Sequence, residues 1–279
     1  MPTIYPAGSP SSHSPNSQGK LGPMSIGKMP GHWALASAGK RVLRPGGLEL
    51  TNRMLHALRI TSEDRVVEFA PGLGVTARIV LERAPSSYCG VEREPKIAEH
   101  LQQLFASSSV RFVCGEAQKS GFPDDCASVV YGEAMLSMQG PEQKDRIFAE
   151  ARRLLGAGGR YGIHELCFPD DTSPSLRHEI QAELSKEIHV GVQILTRTEW
   201  AAIFARNGMT ITWNAEAPMH LLEPWRVLGD EGFIGGLRIV VNMLTKPMVR
   251  HRILAIRRLF RRYEKHLGAI AIVGTVSEN

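Results

Sequence analysis

The chain has no run of about 18 consecutive uncharged apolar residues, so no membrane-spanning helix is expected. It has no C-x-x-C pair either. Its four cysteines, Cys89, Cys114, Cys126 and Cys167, are scattered, and neither a metal site nor a disulfide framework is expected of them. Cys89 and Cys114 stand in apolar, strand-like runs and read as small packed hydrophobes. The N-terminus shows no basic stretch followed by an apolar one, so no secretory signal is read there and a reduced, cytoplasmic protein is expected. Residues 1–28 lack any acid and have few large apolar side chains. Ser, Pro and Gly dominate them. Such a segment cannot offset its own ordering entropy, and a disordered tail is expected. No internal repeat is visible.

Acidic residues are also scarce where basic ones are dense. Residues 246–267 hold eight Lys/Arg against one acid, Glu264, which outweighs the formal net charge of +5 for the whole chain. The basic character therefore comes from one segment. In it Val249, Ile253, Ile256, Phe260, Tyr263 and Leu267 recur on one stripe, the pattern of an amphipathic helix. Its first reading is a helix with the apolar side on the domain and the basic side in solvent. Peripheral contact with an anionic membrane is the second. Nucleic acid is an unlikely partner, because aromatic residues are sparse there and the charge is a single patch.

What the sequence does contain is alternation. A helix from about residue 48 carries Leu50, Leu55 and Leu58 on one side. Val66–Phe69, Tyr88–Glu92, Val110–Cys114, Ser128–Gly132, Arg160–Leu166, Met209–Ala215 and Ala269–Thr275 read as strands. Helices are expected over Val75–Arg83, from Pro95, over 142–155, and over Arg197–Asn207 with Thr198 as N-cap and Gly208 just beyond the end. This spacing predicts an α/β, doubly wound, Rossmann-like seven-stranded sheet within one domain, residues 29–279. Two stretches break the alternation, about 167–196 and about 218–267. Both follow the C-terminal end of a strand, the edge that carries ligands in open α/β sheets, and both read as helical lids.

The first strand runs into "VVEFAPGLGVTARI". Gly72-x-Gly74-x-x-Ala77 fits a dinucleotide loop. Glu68, however, lies just beneath it. A pyrophosphate above a buried carboxylate would be repelled, whereas a ligand carrying an ammonium and a sulfonium would be attracted. Glu92 ends the second strand, where a carboxylate can accept the hydroxyls of a ribose. Glu116 and Ala117 follow the third strand, where a side-chain carboxylate and a backbone N–H can read an adenine.

With these in order, "VVEFAPGLGVT", "GVERE", "CGEAQKSGFPDDCASVVYGEAM" and "EARRLLGAGGRYGIHEL" resemble the successive motifs of class I S-adenosylmethionine-dependent methyltransferases, and are most similar to the small-molecule branch that includes the quinone-biosynthesis C-methyltransferases. The resemblance covers about residues 48–166 well and the last two strands loosely. It implies an antiparallel last strand and S-adenosyl-L-methionine as cofactor. Glu68, Ala70, Gly72 and Gly74 would line its methionine moiety. Glu92 would hold the ribose, with Arg93 beside the adenine and Glu116 and Ala117 in contact with it. Glu133 would close the methionine pocket. Ala70 stands where the family often has glycine.

Methyl transfer needs an aligned nucleophile, exclusion of water and often a base. His164, His189 and His220 are expected near one rim as base or positioning groups. Trp33, Met135, Met138 and Met219 are candidates for an apolar acceptor wall. Arg41 and Arg44 precede the first strand, either as surface charges or facing a substrate anion. The fourth strand ends in Gly132-Glu133-Ala134-Met135 and not in the Asn/Asp-Pro-Pro-aromatic motif of enzymes that methylate exocyclic amino groups. The expected acceptor is a small organic molecule with an apolar part. Two other readings stand beside it: an NAD(P)-dependent oxidoreductase, and a non-catalytic cofactor-binding or membrane-surface module. The acceptor atom and the oligomeric state are not legible.

Overall fold

A computed structural model describes residues 44–105, 107–219, 245 and 247–277. The expectations for the tail 1–28, Trp33, Arg41 and His220 lie outside the described residues.

Helix α1, Gly47–Ala57, opens the described chain and buries Leu50, Thr51, Met54 and Leu55. Strand β1, Arg65–Phe69, is followed by α2, Val75–Leu81, then β2, Ser87–Glu92. Helix α3, Pro95–Leu104, takes its proline in the first turn, where the missing N–H costs no hydrogen bond. Strands β3, Val110–Cys114, and β4, Ala127–Glu133, precede α4, Pro141–Leu154, and β5, Leu155–Phe168. Then come α5, Pro174–Ile188, the two-residue β6, Leu195–Thr196, α6, Arg197–Arg206, β7, Met209–Pro218, α7, Pro247–Arg262, and β8, Gly268–Val276.

The sheet runs in the order β3-β2-β1-β4-β5-β8-β7, with β6 attached to the end of β5. Strands β1 to β5 pair in parallel, and β8 is antiparallel to both β5 and β7. The short β6 is what raises the count from seven to eight. Order reverses between β1 and β4, the point at which an open α/β sheet leaves a crevice beyond its strand ends.

Two apolar layers hold the sheet. One joins Phe148, Ala151, Trp200 and Phe204 from α4 and α6 to Val130, Tyr161 and Ile272. The other joins Leu50, Met54 and Leu55 of α1, Ala77 of α2 and Leu101 of α3 to Val66, Tyr88, Val129 and Ala271. A third cluster stands apart from both. It packs Ile180 and Leu184 of α5 against Ile253, Ile256 and Phe260 of α7, with Tyr263, Leu267 and Met219. From Ile253 onward the apolar stripe of the basic helix thus packs on α5. Of its charges, Arg262 lies 3.1 Å from Glu183, and the nearby Tyr263 hydroxyl donates to Glu179 at 2.7 Å.

Three local readings change. The N-cap of α6 is Thr196, not Thr198: its hydroxyl accepts from the Glu199 amide at 3.2 Å, and Glu199 reaches back to the Thr196 amide at 2.8 Å. That reciprocal arrangement satisfies two otherwise unpaired donors. The strand expected from Arg160 starts at Leu155, taking in the glycines that follow the end of α4 at Leu154. They are absorbed into β5 as an irregularity, where the pairing steps from Ala127 with Leu155 to Val129 with Arg160. Cys114 is exposed and is not a packed hydrophobe.

Candidate cofactor site

The crevice is built at the ends of β1, β2 and β4. Immediately after β1 and after β4 the chain turns through a residue with positive φ, Ala70 at 55° and Ala134 at 52°. A side chain in that region costs about 1–2 kcal/mol. Backbone bonds hold both turns, from the Ala70 amide to Val91 O at 2.9 Å and from the Ala134 amide to His164 O at 2.7 Å.

Between Ala70 and α2 lies the glycine loop. Gly74, φ 72°, caps α2, and a Cβ there would sit 2.6 Å from Leu101 Cδ2 and 2.9 Å from Phe105 Cε2. It is glycine because α3 presses on it. Gly72 differs. Its φ of 54° favours glycine, yet a Cβ would meet nothing nearer than Ala70 O at 3.9 Å. Its free face leaves room for a ligand to approach the backbone. Glu92, 8% exposed, holds the loop from below, accepting the Gly72 amide at 3.1 Å and the Glu94 amide at 3.0 Å.

Glu68 is 3% exposed and accepts the hydroxyls of Tyr88 and, at 2.7 Å, Tyr131. Both tyrosines come from strands flanking β1. Burial pushes its carboxyl up, the two hydroxyls pull it back and Glu133 pushes it up again, leaving it at about 7.

Glu133 is the centre of the polar cluster. One oxygen accepts from the Arg44 guanidinium and from Thr76 Oγ1 at 2.5 Å. The other accepts from Thr51 Oγ1 at 2.6 Å and meets His164 Nδ1 at 2.9 Å. Burial alone would raise its carboxyl. The Arg44 charge, with His164 and Thr51, overrides it and holds it at about 2. His164 is fully buried, and its Nε2 meets Pro45 O at 2.5 Å. Both ring nitrogens are therefore engaged. His189 stands exposed as the C-cap of α5, φ 55°. The structure thus places one described histidine inside the sheet and the other on the surface.

Strand alternation sends Glu165 to the opposite face from His164. There it accepts the amides of Met135, Leu136 and Ser137 at 2.9, 2.7 and 2.9 Å, and the Ser137 hydroxyl at 2.8 Å. Lys144, 1% exposed, grips the other end of that loop through Gln139 O at 2.6 Å and ties it to Gln193 O at 2.9 Å. Burial lowers its ammonium to about 8. Met135 is buried and Met138 half-buried on this loop, whereas Met219 belongs to the α5–α7 cluster. Arg93 and Glu116 are exposed, Ala117 is half-buried, and Glu116 accepts from Gln118 Nε2 at 2.5 Å.

Sequence reasoning missed Thr51, Thr76, Lys144 and the role of Arg44. No local signal marks them, because Arg44 and Thr51 reach Glu133 across 89 and 82 residues.

The donor set can be tested against a ligand. The carboxylates of Glu68, Glu92 and Glu133, all with little exposure, stand at or next to the ends of β1, β2 and β4 around one buried guanidinium, Arg44. A pyrophosphate would meet net negative charge in a low-dielectric crevice. A ligand with an ammonium, a sulfonium and a ribose diol fits it. Among the described residues no group of His, Cys, Asp or Glu is arranged to hold a metal ion.

Residues 66–159 match the family model described as "Methyltransferase domain". An uncharacterized protein of Haemophilus influenzae is 27% identical over 246 residues, 87% of this chain and 96% of that protein. Among solved structures, the phosphoethanolamine N-methyltransferase 2 of Haemonchus contortus, in complex with phosphomonomethylethanolamine and S-adenosylhomocysteine, superposes with a TM-score of 0.66 at 14% identity, covering 88% of this chain and 57% of that one. The [4+2]-cyclase SpnF superposes with a TM-score of 0.63 at 16% identity, covering 88% and 91%.

Proposed function

We propose that this chain, whose residues 66–159 match a methyltransferase domain, is a class I S-adenosylmethionine-dependent methyltransferase that acts on a small organic acceptor with an apolar part. The bound cofactor supplies an electrophilic methyl group on a sulfonium. The chain's own residues bind, orient and keep water out.

In this reading the free face of Gly72 admits the cofactor backbone. Glu68 and Glu133 bias the crevice toward its positive groups, and Arg44 toward its carboxylate. Glu92 exchanges one backbone amide for the ribose hydroxyls. Glu116 and Ala117 border the adenine, with Arg93 beside it. His164 is a positioning residue, because it reaches the crevice through Glu133. Met135 and Met138 form part of the acceptor wall, on a loop whose two ends Glu165 and Lys144 fix.

The observation that carries the acceptor class is topological. The segments 169–194 and 219–267 both leave the sheet at its C-terminal edge and return there, and their helices α5 and α7 pack on each other. Two insertions that leave from that edge and pack on each other suit an enclosed small molecule better than a polymer. No helix among the described residues is long and apolar enough to cross a membrane. Since Ile253, Ile256 and Phe260 of α7 face α5 and Met248 is exposed, contact with an anionic membrane would rest mainly on charge.

The test has two stages. Thermal-shift titration with S-adenosylhomocysteine, NAD⁺ and NADPH is expected to respond to the first alone. At about a hundred times the Kd the gain is about 2.7 kcal/mol. Turnover of S-adenosylmethionine is then followed with small lipophilic acceptors, with RNA and with protein. Turnover with RNA or protein alone overturns the small-molecule reading. Liposome flotation at low and high salt tests the membrane contact.

A further inference from the structure

A second concavity, of about 820 Å³, lies between the later turns of α1 and strands β7 and β8. It is lined by Arg53, His56, Arg59, Arg160 and Trp213 among others. Arg160 opens the regular part of β5 opposite Thr275, whereas His164 and Glu133 lie toward the other end of the same strand pair. The groove is therefore separate from the cofactor crevice, and α1 spans both.

Three of its charged side chains, Arg53, His56 and Arg59, are exposed along one face. The C-terminal carbonyls of α1 are already met by other arginines. Arg83 donates to Leu55 O at 2.7 Å, and Arg160 donates to Leu58 O at 2.5 Å and Arg59 O at 3.1 Å. The buried carboxylate nearby, Asp64, is taken by Arg160, by Ser128 Oγ at 2.7 Å and by the Thr61 amide at 2.8 Å. The side chains of Arg53, His56 and Arg59 are left with no hydrogen bond or ion pair among the described residues. Two further features shape the wall. Arg59 has a φ of 48°, and the pairing of β7 with β8 shifts between Ile211 and Trp213. Such an irregularity re-aims the following side chain.

We infer that this groove is a second ligand site, which takes a small phosphorylated aromatic molecule of the nucleotide class. Two unpaired guanidiniums offer forked donors to a phosphate. Trp213 lines the groove half-buried, packed on the second apolar layer, and the exposed remainder of its indole is the stacking surface for a base. The volume suits one small ligand.

The test uses the full chain saturated with S-adenosylhomocysteine, so that the cofactor crevice is filled. AMP, GMP, CMP and UMP are titrated by calorimetry and by tryptophan fluorescence, beside the free nucleosides, inorganic phosphate and a single-stranded oligoribonucleotide. At least one mononucleotide is expected to bind once per chain and more tightly than its nucleoside or phosphate. Arg53→Ser with Arg59→Asn should weaken it about tenfold or more, and added salt should weaken it further. Trp213→Phe should change the fluorescence response. S-adenosylhomocysteine affinity, read on every variant, reports that the fold is intact, and Arg53→Glu alone serves if the double variant does not fold. The inference is overturned by any of three results: no nucleotide binds, the variants bind unchanged, or the oligonucleotide alone binds. The last would assign the face to nucleic acid.

Discussion

Replacing Glu68 by Gln should make the protein more stable at neutral and higher pH, and the size of the gain should depend on pH in a defined way. The carboxyl titrates at about 7 in the folded chain against an ordinary value of 4.5, because burial outweighs the hydroxyls of Tyr88 and Tyr131. Between those two values the folded state holds a proton that the unfolded state has released. Stability therefore falls as pH rises through this window, at about 1.4 kcal/mol per pH unit. The whole loss is roughly 3 kcal/mol between pH 4 and 8. Glutamine keeps an oxygen for the tyrosine hydroxyls and has no charge to bury. The assay is urea unfolding of both proteins from pH 4 to 8.5 at fixed ionic strength, with the difference plotted so that the other titrating groups cancel. The expected difference starts small or unfavourable near pH 4 and moves toward the variant by up to about 3 kcal/mol. S-adenosylmethionine should reduce the wild-type loss, since a cation above Glu68 favours its charged form. A pH-independent difference would refute the buried, proton-holding carboxylate.

The glycine loop should separate packing from ligand approach. Gly74→Ala places a Cβ 2.6 Å from Leu101 Cδ2 and should cost about 2–4 kcal/mol in thermal unfolding. Gly72→Ala should cost only about 1–2 kcal/mol, while its Kd for S-adenosylhomocysteine rises by more than the stability change would give. Glu133→Ala should destabilise by about 3–5 kcal/mol, since it leaves Arg44 buried without a counter-charge. With its carboxyl held at about 2, Glu133 contributes stability above pH 4.5 that is lost as pH falls toward 2. The variant should therefore show a flatter acid limb in the same urea series. Lys144→Met strips a donor from the carbonyls of Gln139 and Gln193 and should cost about 1–3 kcal/mol, with amide exchange of the 135–139 loop accelerating. Arg262→Ala, at a side chain 61% exposed, should cost less than about 1 kcal/mol despite the nearby Glu183.

Periodicity and local chemistry made much of this molecule legible. Five parallel strands, the helices between them and the glycine loop follow from patterns within about ten residues of each other. Gly208 just past α6 was equally legible, because a helix end needs a residue that tolerates its φ of 68°. Boundaries failed where tertiary pairing overrode local signals. The glycines at 156–159 do follow the end of α4, but the strand expected from Arg160 begins at Leu155 and takes them in. The cap expected at Thr198 falls at Thr196, where Glu199 three residues on completes a capping box.

The succession of strands along the chain was legible in the sequence, and so were the carboxylates Glu68, Glu92 and Glu133 at or near the ends of three of them. What each carboxylate does was not. Glu68 and Glu133 end neighbouring strands, yet one titrates at about 7 and the other at about 2. The difference lies in their partners: two tyrosines around the first, an arginine, two threonines and a histidine around the second. Those partners arrive from 20 to 89 residues away. Proton affinity depends on which charges and dipoles lie within a few ångströms, and only the folded chain sets that distance.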